Sequence, residues 1–198
     1  MQAILINGSP HKNGNTAALL RELEPPMHAA GWKTEFVQLG GEKIAGCRGC
    51  LKCAEKRNGK CLFDNDMLNG LLAKIMEADA LVLGTPCYFT DVTAEMKALI
   101  DRVGYVSFVN GGMLQGKIGA AVVAAGRGGA THAFDTMNHL FLMSKMIVPG
   151  SIYWNMGYAR EEGAVVHDEE AMTNIRHLAG AIVWLGNAIG PHLPDYPR

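Results

Sequence analysis

The sequence predicts an α/β fold in which a doubly wound parallel sheet carries helices on both of its faces. Short segments that are apolar throughout, such as 3–6 and 80–84, alternate along the chain with segments of helical periodicity, such as 65–78. A strand that is apolar on both faces is typical of a parallel sheet covered by helices on each side. The length of 198 residues suits a single domain spanning 1–198, with room for a sizeable core.

Each element is predicted from its apolar pattern and from the residues that begin or end it. Pro25 and Pro26 should break or kink the first helix, and Gly31 should end it. The last helix opens on acidic residues, which suit the positive end of a helix dipole. The predicted strands are 3–6, 33–39, 80–84, 118–125 and 147–154. The predicted helices are 16–31, 65–78, 92–103, 131–146 and 168–189. Five strands in one domain favour a flavodoxin-like sheet over a barrel, with a cysteine-rich insertion at 40–63 after the second strand.

Composition and charge exclude several classes of protein. The formal net charge is −1, so no overall field recruits nucleic acid or an anionic membrane. No apolar run is long enough to span a bilayer, and the first ten residues lack the basic region and cleavage site of a signal peptide. These features predict a cytoplasmic protein with neither a nucleic acid nor a membrane as partner. In that compartment clustered thiols more often bind metal or do redox chemistry than form disulfides.

The loop after the first strand is a candidate phosphate site. Ligands of open parallel sheets bind beyond the carboxyl ends of the strands, so the loops after the first, third and fourth strands matter most. The first of them, NGSPHKNGNTAAL (7–19), leads directly into a helix, whose free N–H groups favour an anion. Ser9, Asn15 and Thr16 are the candidate donors, and Gly14 allows close backbone approach. Ordinary helix capping explains the same residue types, because Ser, Asn and Thr are favoured at any helix start.

The other two loops have features of a site for a flat ligand. In GTPCYFTDVTAEMKALIDR (84–102), Tyr88 and Phe89 suit the apolar walls that a heteroaromatic ring needs. In AAGRGGATH (124–132), three glycines permit close approach to a ligand edge, and Arg127 adds a cation. Alternatively, the two aromatic side chains cap the core and the glycine-rich segment is a flexible connection.

Four of the five cysteines lie together in the segment CRGCLKCAEKRNGKC, residues 47–61. Zinc sites usually comprise two separated CxxC pairs, whereas three cysteines here follow one another at three-residue spacing. Such a run with a fourth cysteine provides the four thiolates that a [4Fe–4S] cluster requires. The candidate ligands are Cys47, Cys50, Cys53 and Cys61. Zinc, and thiols without metal, are the alternatives, and an oxygen-exposed preparation is expected to lose iron.

Taken together, the three loops resemble the flavin loops of the NADPH-dependent FMN reductase family, within the flavodoxin-like proteins. With the cysteine segment placed before the helix at 65–78, the chain resembles the iron–sulfur flavoprotein branch of that family over most of residues 1–150. The resemblance implies FMN, with its phosphate at the first loop and its isoalloxazine between the other two. The cofactor contacts that it implies are Ser9, Asn15, Thr16, Ala17, Pro86, Cys87, Tyr88, Phe89, Gly126, Arg127, Gly128 and Gly129. Cys87 departs from the pattern, because such proteins more often carry an aliphatic residue there.

The combination predicts an FMN-dependent oxidoreductase that passes electrons between NAD(P)H or ferredoxin and a small-molecule or protein acceptor. The chemistry belongs to the flavin and to the [4Fe–4S] cluster, so no catalytic side chain is required. One alternative is a non-enzymatic flavin electron carrier or redox sensor; another is a cluster-free NAD(P)H quinone or flavin reductase with vestigial cysteines. The resemblance also implies a homo-oligomer, either a dimer or a tetramer. Apolar residues of the C-terminal third that exceed the needs of one helix and one edge strand are Met143, Met146, Trp154, Met156 and Trp184.

Overall fold

The computed structural model describes residues 1–197, and in this part of the chain five parallel strands and seven α-helices form an α/β fold. The strands are β1 (Gln2–Asn7), β2 (Lys33–Gln38), β3 (Ala80–Pro86), β4 (Ile118–Ala125) and β5 (Met156–Tyr158). The helices are α1 (Asn15–Glu22), α2 (Glu24–Ala29), α3 (Lys52–Lys56), α4 (Leu68–Glu77), α5 (Ala94–Val109), α6 (Ala130–Met143) and α7 (Glu169–Ile189). The strand order β2-β1-β3-β4-β5 is that of a flavodoxin-like sheet, so the predicted fold class is confirmed.

Alternate residues of the central strands pack on opposite faces of the sheet, which explains why these strands are apolar throughout. Ile4 and Ile6 of β1 pack on the face covered by α4, α5 and α6. Leu5, between them, packs on the face covered by α1, α2 and α7. Because both faces are covered, the edge where the strands end is the place where the loops form a site.

The predicted helix boundaries are largely those of the structure, except that the helix predicted at 92–103 continues to Val109 and the one predicted at 131–146 ends at Met143. The first helix breaks at Leu23, and Pro25 and Pro26 lie in the first turn of α2, where their missing N–H groups need no partner. Gly31 follows α2 with a φ of 79°, a conformation that favours glycine. The carboxylate of Asp168 caps α7 by accepting a hydrogen bond from the backbone N–H of Ala171 at 3.0 Å.

The fifth strand lies later in the chain than the sequence predicts, so the strand predicted at 147–154 is wrong. That segment contributes one isolated parallel bridge, between Ile147 and the first residue of β4. A Pro-Gly pair at 149–150 interrupts its apolar run and prevents a continuous ladder. The strand that pairs with β4 is instead β5, which is three residues long.

The predicted insertion at 40–63 lies between β2 and α4 and includes the short helix α3. Residues 45–51, which carry the first two clustered cysteines, have no regular secondary structure. None of the helices described for residues 1–197 combines the length and the apolar character needed to cross a membrane.

Candidate functional site

A cavity of about 260 Å³ lies at the carboxyl edge of the sheet, where the loops after β1, β3 and β4 meet; we call it the loop cavity. The predicted cofactor contacts that line it are Ser9, Asn15, Thr16, Pro86, Cys87, Tyr88 and Gly126. The structure therefore brings residues of all three predicted loops to one place. The segment after β5 also lines the cavity, through Ala159, Arg160 and Glu162.

Side chains at the ends of β1 and β2 fix the first loop. The Asn7 side chain accepts a hydrogen bond from the Ser9 backbone N–H at 3.1 Å and donates to Gln38 Oε1 at 2.8 Å. Gln38 Nε2 in turn donates to the carbonyl oxygens of Ser9 and Gly40, both at 2.7 Å. Ser9 Oγ accepts from the His11 backbone N–H at 3.2 Å, which leaves the hydroxyl proton of Ser9 available to a ligand.

The first turn of α1 faces the loop cavity with unused hydrogen-bonding groups. Among residues 1–197, no side chain caps this turn, and the buried Thr16 Oγ1 has no hydrogen-bond partner. Buried polar groups are normally paired, so an unpaired hydroxyl at an uncapped helix start fits an oxyanion ligand. Ala17 has a buried side chain, so its contribution to such a ligand is its backbone N–H.

The side chain of Asn15 is used within the protein. Its Nδ2 donates to the carbonyl oxygens of Glu161 at 2.9 Å and Ala159 at 3.4 Å. Its Oδ1 accepts from the Val165 backbone N–H at 3.0 Å. Asn15 therefore offers a ligand its backbone N–H, and its side chain holds the segment that brings Arg160 to the loop cavity.

Cys87 links the second loop to the third. Its backbone N–H donates to the Ala124 carbonyl at 2.8 Å, and its Sγ donates to the Gly128 carbonyl at 3.6 Å. Burial raises the pKa of Cys87, and the nearby carboxylate of Asp91 adds to the rise, so the thiol keeps its proton and acts as a donor. A Cβ added at Gly129 would lie 3.1 Å from this sulfur, so a glycine lets the two loops approach.

Several predicted contacts are not brought into the loop cavity. Among the described residues, those outside its lining are Ala17, Phe89, Arg127, Gly128 and Gly129. The side chain of Phe89 is fully exposed, because Phe89 and Thr90, with φ of 46° and 74°, form a tight turn at the tip of the second loop.

A second cavity, lined by all four clustered cysteines, lies against α5; we call it the cysteine cavity. Cys53 is buried and Cys61 is half-buried, whereas Cys47 and Cys50 are exposed. Burial raises the pKa of Cys53, and negative charge at Cys61 and Cys50 adds to the rise. All three thiols line the same cavity.

The chemistry of this donor set fits an iron–sulfur cluster. Four thiols on one cavity match the four thiolate ligands that a [4Fe–4S] cluster takes. The space between them is about 20 Å³, and within residues 1–197 no three Cys, His, Asp or Glu side chains converge to hold a single metal ion. Binding a cluster would therefore require a different arrangement of the sulfurs, and the exposed segment of Cys47 and Cys50 is the part with room for it. That segment is irregular, and Gly46 and Gly49 have open space where a Cβ would be.

A buried ion pair forms the base of the cysteine cavity. Arg102 of α5 pairs with Asp66, and the two side chains are 2% and 1% exposed. Arg102 Nη2 donates to Cys61 Sγ at 3.3 Å and to the Phe63 carbonyl at 2.9 Å. Its Nη1 donates to the Ala45 carbonyl at 3.0 Å. Burial alone would raise the pKa of Asp66, but the hydrogen bond and the charge of Arg102 hold that pKa below its usual range.

Helix α5 connects the two cavities. Its N-cap residue, Thr93, donates through Oγ1 to the Gly8 carbonyl at 2.9 Å and through its backbone N–H to Thr85 Oγ1 at 3.2 Å. Arg102 lies farther along the same helix, about 14 Å from Thr93 at a rise of about 1.5 Å per residue. The helix start is thus fixed to the loops of one cavity while its middle forms the base of the other.

Sequence reasoning missed Arg102 and the segment that carries Arg160. For Arg102 a signal exists, because it lies at helical spacing from Leu99 and Val106, which are buried. A charged residue inside a buried stripe indicates a buried ion pair or site. For Arg160 we find no local signal, since the contacts that place it depend on Asn15, far away in the sequence.

The fold and the position of the loop cavity are those of flavodoxin-like proteins, and comparison with known proteins identifies an FMN-binding oxidoreductase. Residues 1–161 match the family model described as NADPH-dependent FMN reductase. An iron-sulfur flavoprotein of Methanocaldococcus jannaschii is 34% identical over 185 residues, which cover 90% of this chain and 93% of that protein. An iron-sulfur flavoprotein of Archaeoglobus fulgidus is 34% identical over 174 residues, which cover 86% of this chain and 74% of that protein. The chain belongs to the NADPH-dependent FMN reductase family, and the predicted resemblance to its iron–sulfur flavoprotein branch is confirmed.

A solved structure supports the fold independently of close sequence similarity. The structure described as a flavone reductase superposes with a TM-score of 0.71 at 19% identity. The match covers 96% of this chain and 64% of that chain, so this chain corresponds to somewhat less than two thirds of that reductase.

Proposed function

We propose that this protein passes electrons between NAD(P)H or ferredoxin and an acceptor by means of FMN in the loop cavity and a [4Fe–4S] cluster on Cys47, Cys50, Cys53 and Cys61. FMN exchanges electrons in pairs or singly and a cluster exchanges them singly, so a chain that holds both joins two-electron to one-electron chemistry. The observation that carries the proposal is the shared helix α5. Its N-cap, Thr93, is hydrogen-bonded to Gly8, the residue before Ser9 of the loop cavity. Farther along the same helix, Arg102 contacts the sulfur of Cys61.

In the loop cavity, we assign the FMN phosphate to the first turn of α1. The hydroxyls of Ser9 and Thr16 and the backbone N–H groups of Asn15 and Ala17 provide donors to an oxyanion. The unpaired Thr16 Oγ1 supports this assignment. Pro86, Cys87, Tyr88 and Gly126 then flank the isoalloxazine.

In the cysteine cavity, the four thiols are the proposed ligands. The names of the two archaeal relatives, both iron-sulfur flavoproteins, support a cluster over zinc. The fifth cysteine, Cys87, lies in the loop cavity and donates to Gly128, so it is not a ligand in this proposal.

The test is an iron and sulfide assay with an absorption spectrum on anaerobically prepared protein. The expected result is about four irons per chain, as this cluster type requires, together with FMN released on denaturation. Cys50→Ala is expected to lower bound iron, whereas the control Cys87→Ala keeps the wild-type amount. FMN should stay bound in both variants. Bound zinc in place of iron, or equal iron loss in both variants, would show that the cluster assignment is wrong.

An electron carrier is the second candidate, and one observation favours it. Phe89, at the tip of the loop that borders the loop cavity, is fully exposed, and an exposed aromatic side chain suits contact with a protein partner. Steady turnover of NAD(P)H with a quinone or flavin acceptor would support the enzyme. Rapid reduction by ferredoxin without NAD(P)H activity would support the carrier.

We also propose that the protein is a homo-oligomer, a dimer or a tetramer. Of the apolar residues that suggested it, Met143, Trp154 and Trp184 are exposed, whereas Met146 and Met156 belong to the core. Phe108 on α5 is exposed as well, so the outer face of α5 and α6 has apolar surface that a second copy would bury. Sedimentation at micromolar concentration is expected to show a species larger than the monomer; a monomer there would refute the proposal.

A further inference from the structure

Arg102 carries an inference that rests on the proposed cluster and concerns its redox properties. We infer that Arg102 is a positioning residue that fixes the sulfur of Cys61 and raises the reduction potential of the cluster. The proposed cluster would accept one electron from its donor without any bond being formed or broken, and Arg102 would stabilise the form that carries the extra negative charge.

The geometry directs one N–H of the guanidinium at a ligand sulfur. Arg102 Nη2 lies 3.3 Å from Cys61 Sγ, within the range of a hydrogen bond to sulfur. Hydrogen bonds to the sulfurs are one of the means by which a protein sets the potential of an iron–sulfur cluster. Because such a bond strengthens as the sulfur becomes more negative, it favours the reduced form and makes the potential less negative.

The guanidinium cannot easily turn away from this sulfur. Asp66 and the carbonyl oxygens of Ala45 and Phe63 occupy the remaining N–H groups of Nη1 and Nη2, and the side chain is 2% exposed. Water therefore screens the interaction little. A lysine at this position would keep the charge but has a single ammonium group, which cannot reproduce a planar fork directed at several acceptors.

The positively charged residues of the cysteine segment differ from Arg102, which lies on α5, in their exposure to solvent. Lys56, at the end of α3, is exposed to solvent. Its charge is screened by water and salt, so it is expected to affect the cluster little. Lys56 is thus a matched control, since its replacement removes a positive charge from the same segment without changing a contact to a ligand sulfur.

The experiment is a dithionite titration of anaerobically prepared holoprotein, followed optically for FMN and by electron paramagnetic resonance for the cluster. The variants are R102K, the double variant R102M with D66N, and the control K56M. R102K keeps the charge that pairs with Asp66, and the double variant removes both charges, so neither leaves a buried charge uncompensated. FMN in the same molecule is an internal reference, because among residues 1–197 none of the hydrogen-bond partners of Arg102 lines the loop cavity.

The expected result is a cluster potential that shifts to more negative values in R102K and in the double variant. The FMN potential, and both potentials of K56M, should match the wild type. Wild-type cluster potentials in both Arg102 variants would overturn the inference. Loss of iron from R102K would also overturn it, because Arg102 would then be required for assembly and not for the potential. Wild-type protein without iron would instead overturn the cluster proposal itself, and the inference with it.

Discussion

The loop cavity and the cysteine cavity are held in place by different interactions. The loop cavity lies at the ends of paired strands, and the backbone ladder between β1, β3 and β4 sets the spacing of its loops. Within residues 1–197, none of the residues that line the cysteine cavity belongs to a strand of the sheet. Side chains tie its segment to neighbouring helices, as when Asn69 Oδ1 accepts from the Cys61 N–H and Asn110 Oδ1 accepts from the Gly59 N–H, both at 2.9 Å.

This difference predicts how each cavity responds to substitution. A ladder of backbone hydrogen bonds tolerates the loss of any one side chain, so a change in the loop cavity should act on the ligand more than on the fold. A segment tied by side chains depends on each of them, and most of all on the buried pair of Arg102 and Asp66. The predictions below test this contrast, beginning with the largest expected effect.

Asp66→Asn is expected to have the largest effect on stability. It leaves the charge of Arg102 buried without a counter-charge, and breaking a buried pair in this way typically costs about 3–5 kcal/mol. Urea unfolding would measure the loss. Asp101→Asn is the matched control, because Asp101 precedes Arg102 on α5 and its pairing with Lys97 is exposed; an exposed pair contributes about 0–1 kcal/mol. Equal effects of the two substitutions would show that the buried pair does not anchor the segment.

Acid should weaken the same anchor, with a smaller effect because a protonated carboxyl still forms a hydrogen bond. The pKa of Asp66 is lower in the folded protein than the usual value of about 3.9. Its stabilisation is therefore complete above that usual value and is lost as the pH falls through the lower, folded value. Urea unfolding of wild-type protein and D66N over a pH series should show a difference that shrinks in this acidic range. A difference independent of pH would contradict the assigned role of the carboxylate.

Thr16→Val should weaken FMN binding and leave the fold intact. A hydrogen bond to a charged group is worth about 1.5–3 kcal/mol, so FMN affinity should fall at least about tenfold. Fluorescence titration of the apoprotein with FMN measures this affinity. Thr131→Val is the control, since it makes the same change in the first turn of α6 at an exposed position. Unchanged affinity in Thr16→Val would place the phosphate elsewhere.

Arg160→Gln should have the smallest effect. Arg160 lines the loop cavity but is exposed, so its attraction to a phosphate is worth about 1 kcal/mol or less, a fall in FMN affinity of about fivefold at most. High salt should abolish the difference from the wild type, because exposed charges are screened. Arg127, the cation that the sequence suggested, lies outside the lining of the loop cavity, so Arg127→Gln should leave FMN affinity unchanged. A larger effect at Arg127 than at Arg160 would reverse the assignment.

The sequence predicts the loop cavity better than the cysteine cavity for the same physical reason. Apolar strands and glycine-rich loops are local patterns, and the ladder then brings their ends together. The anchors of the cysteine cavity join distant segments: Arg102 contacts Ala45, and the two residues show no shared pattern in the chain. The sequence likewise predicts Asn15 as a phosphate donor. In the structure its side chain hydrogen-bonds to Glu161 and Val165, which are distant in the sequence and meet Asn15 only in the folded protein.

The short strand β5 shows a further limit of local patterns. Its Gly157 would be read as a poor strand former. A Cβ at this position would lie 2.5 Å from Val165 and 3.1 Å from Leu19, so close packing requires the glycine. The apolar run at 147–154 looks more like a strand, yet its Pro-Gly pair prevents one.

The unequal burial of the four cysteines has a consequence for how the proposed cluster would be assembled and how its ligands would be oxidised. Cys53 and Cys61, held by a packed helix and by Arg102, form a fixed inner half, whereas Cys47 and Cys50 lie on an exposed, irregular outer half. In the proposed holoprotein the inner pair would already be held by packing, whereas the segment of the outer pair would have to become ordered around the metal. Oxidants reach exposed thiols first, so oxidation should begin at Cys47 and Cys50, which lie outside the packed core. Loss of the proposed cluster would therefore leave the packed core in place, unlike the loss of zinc from small zinc domains, which unfold without the metal.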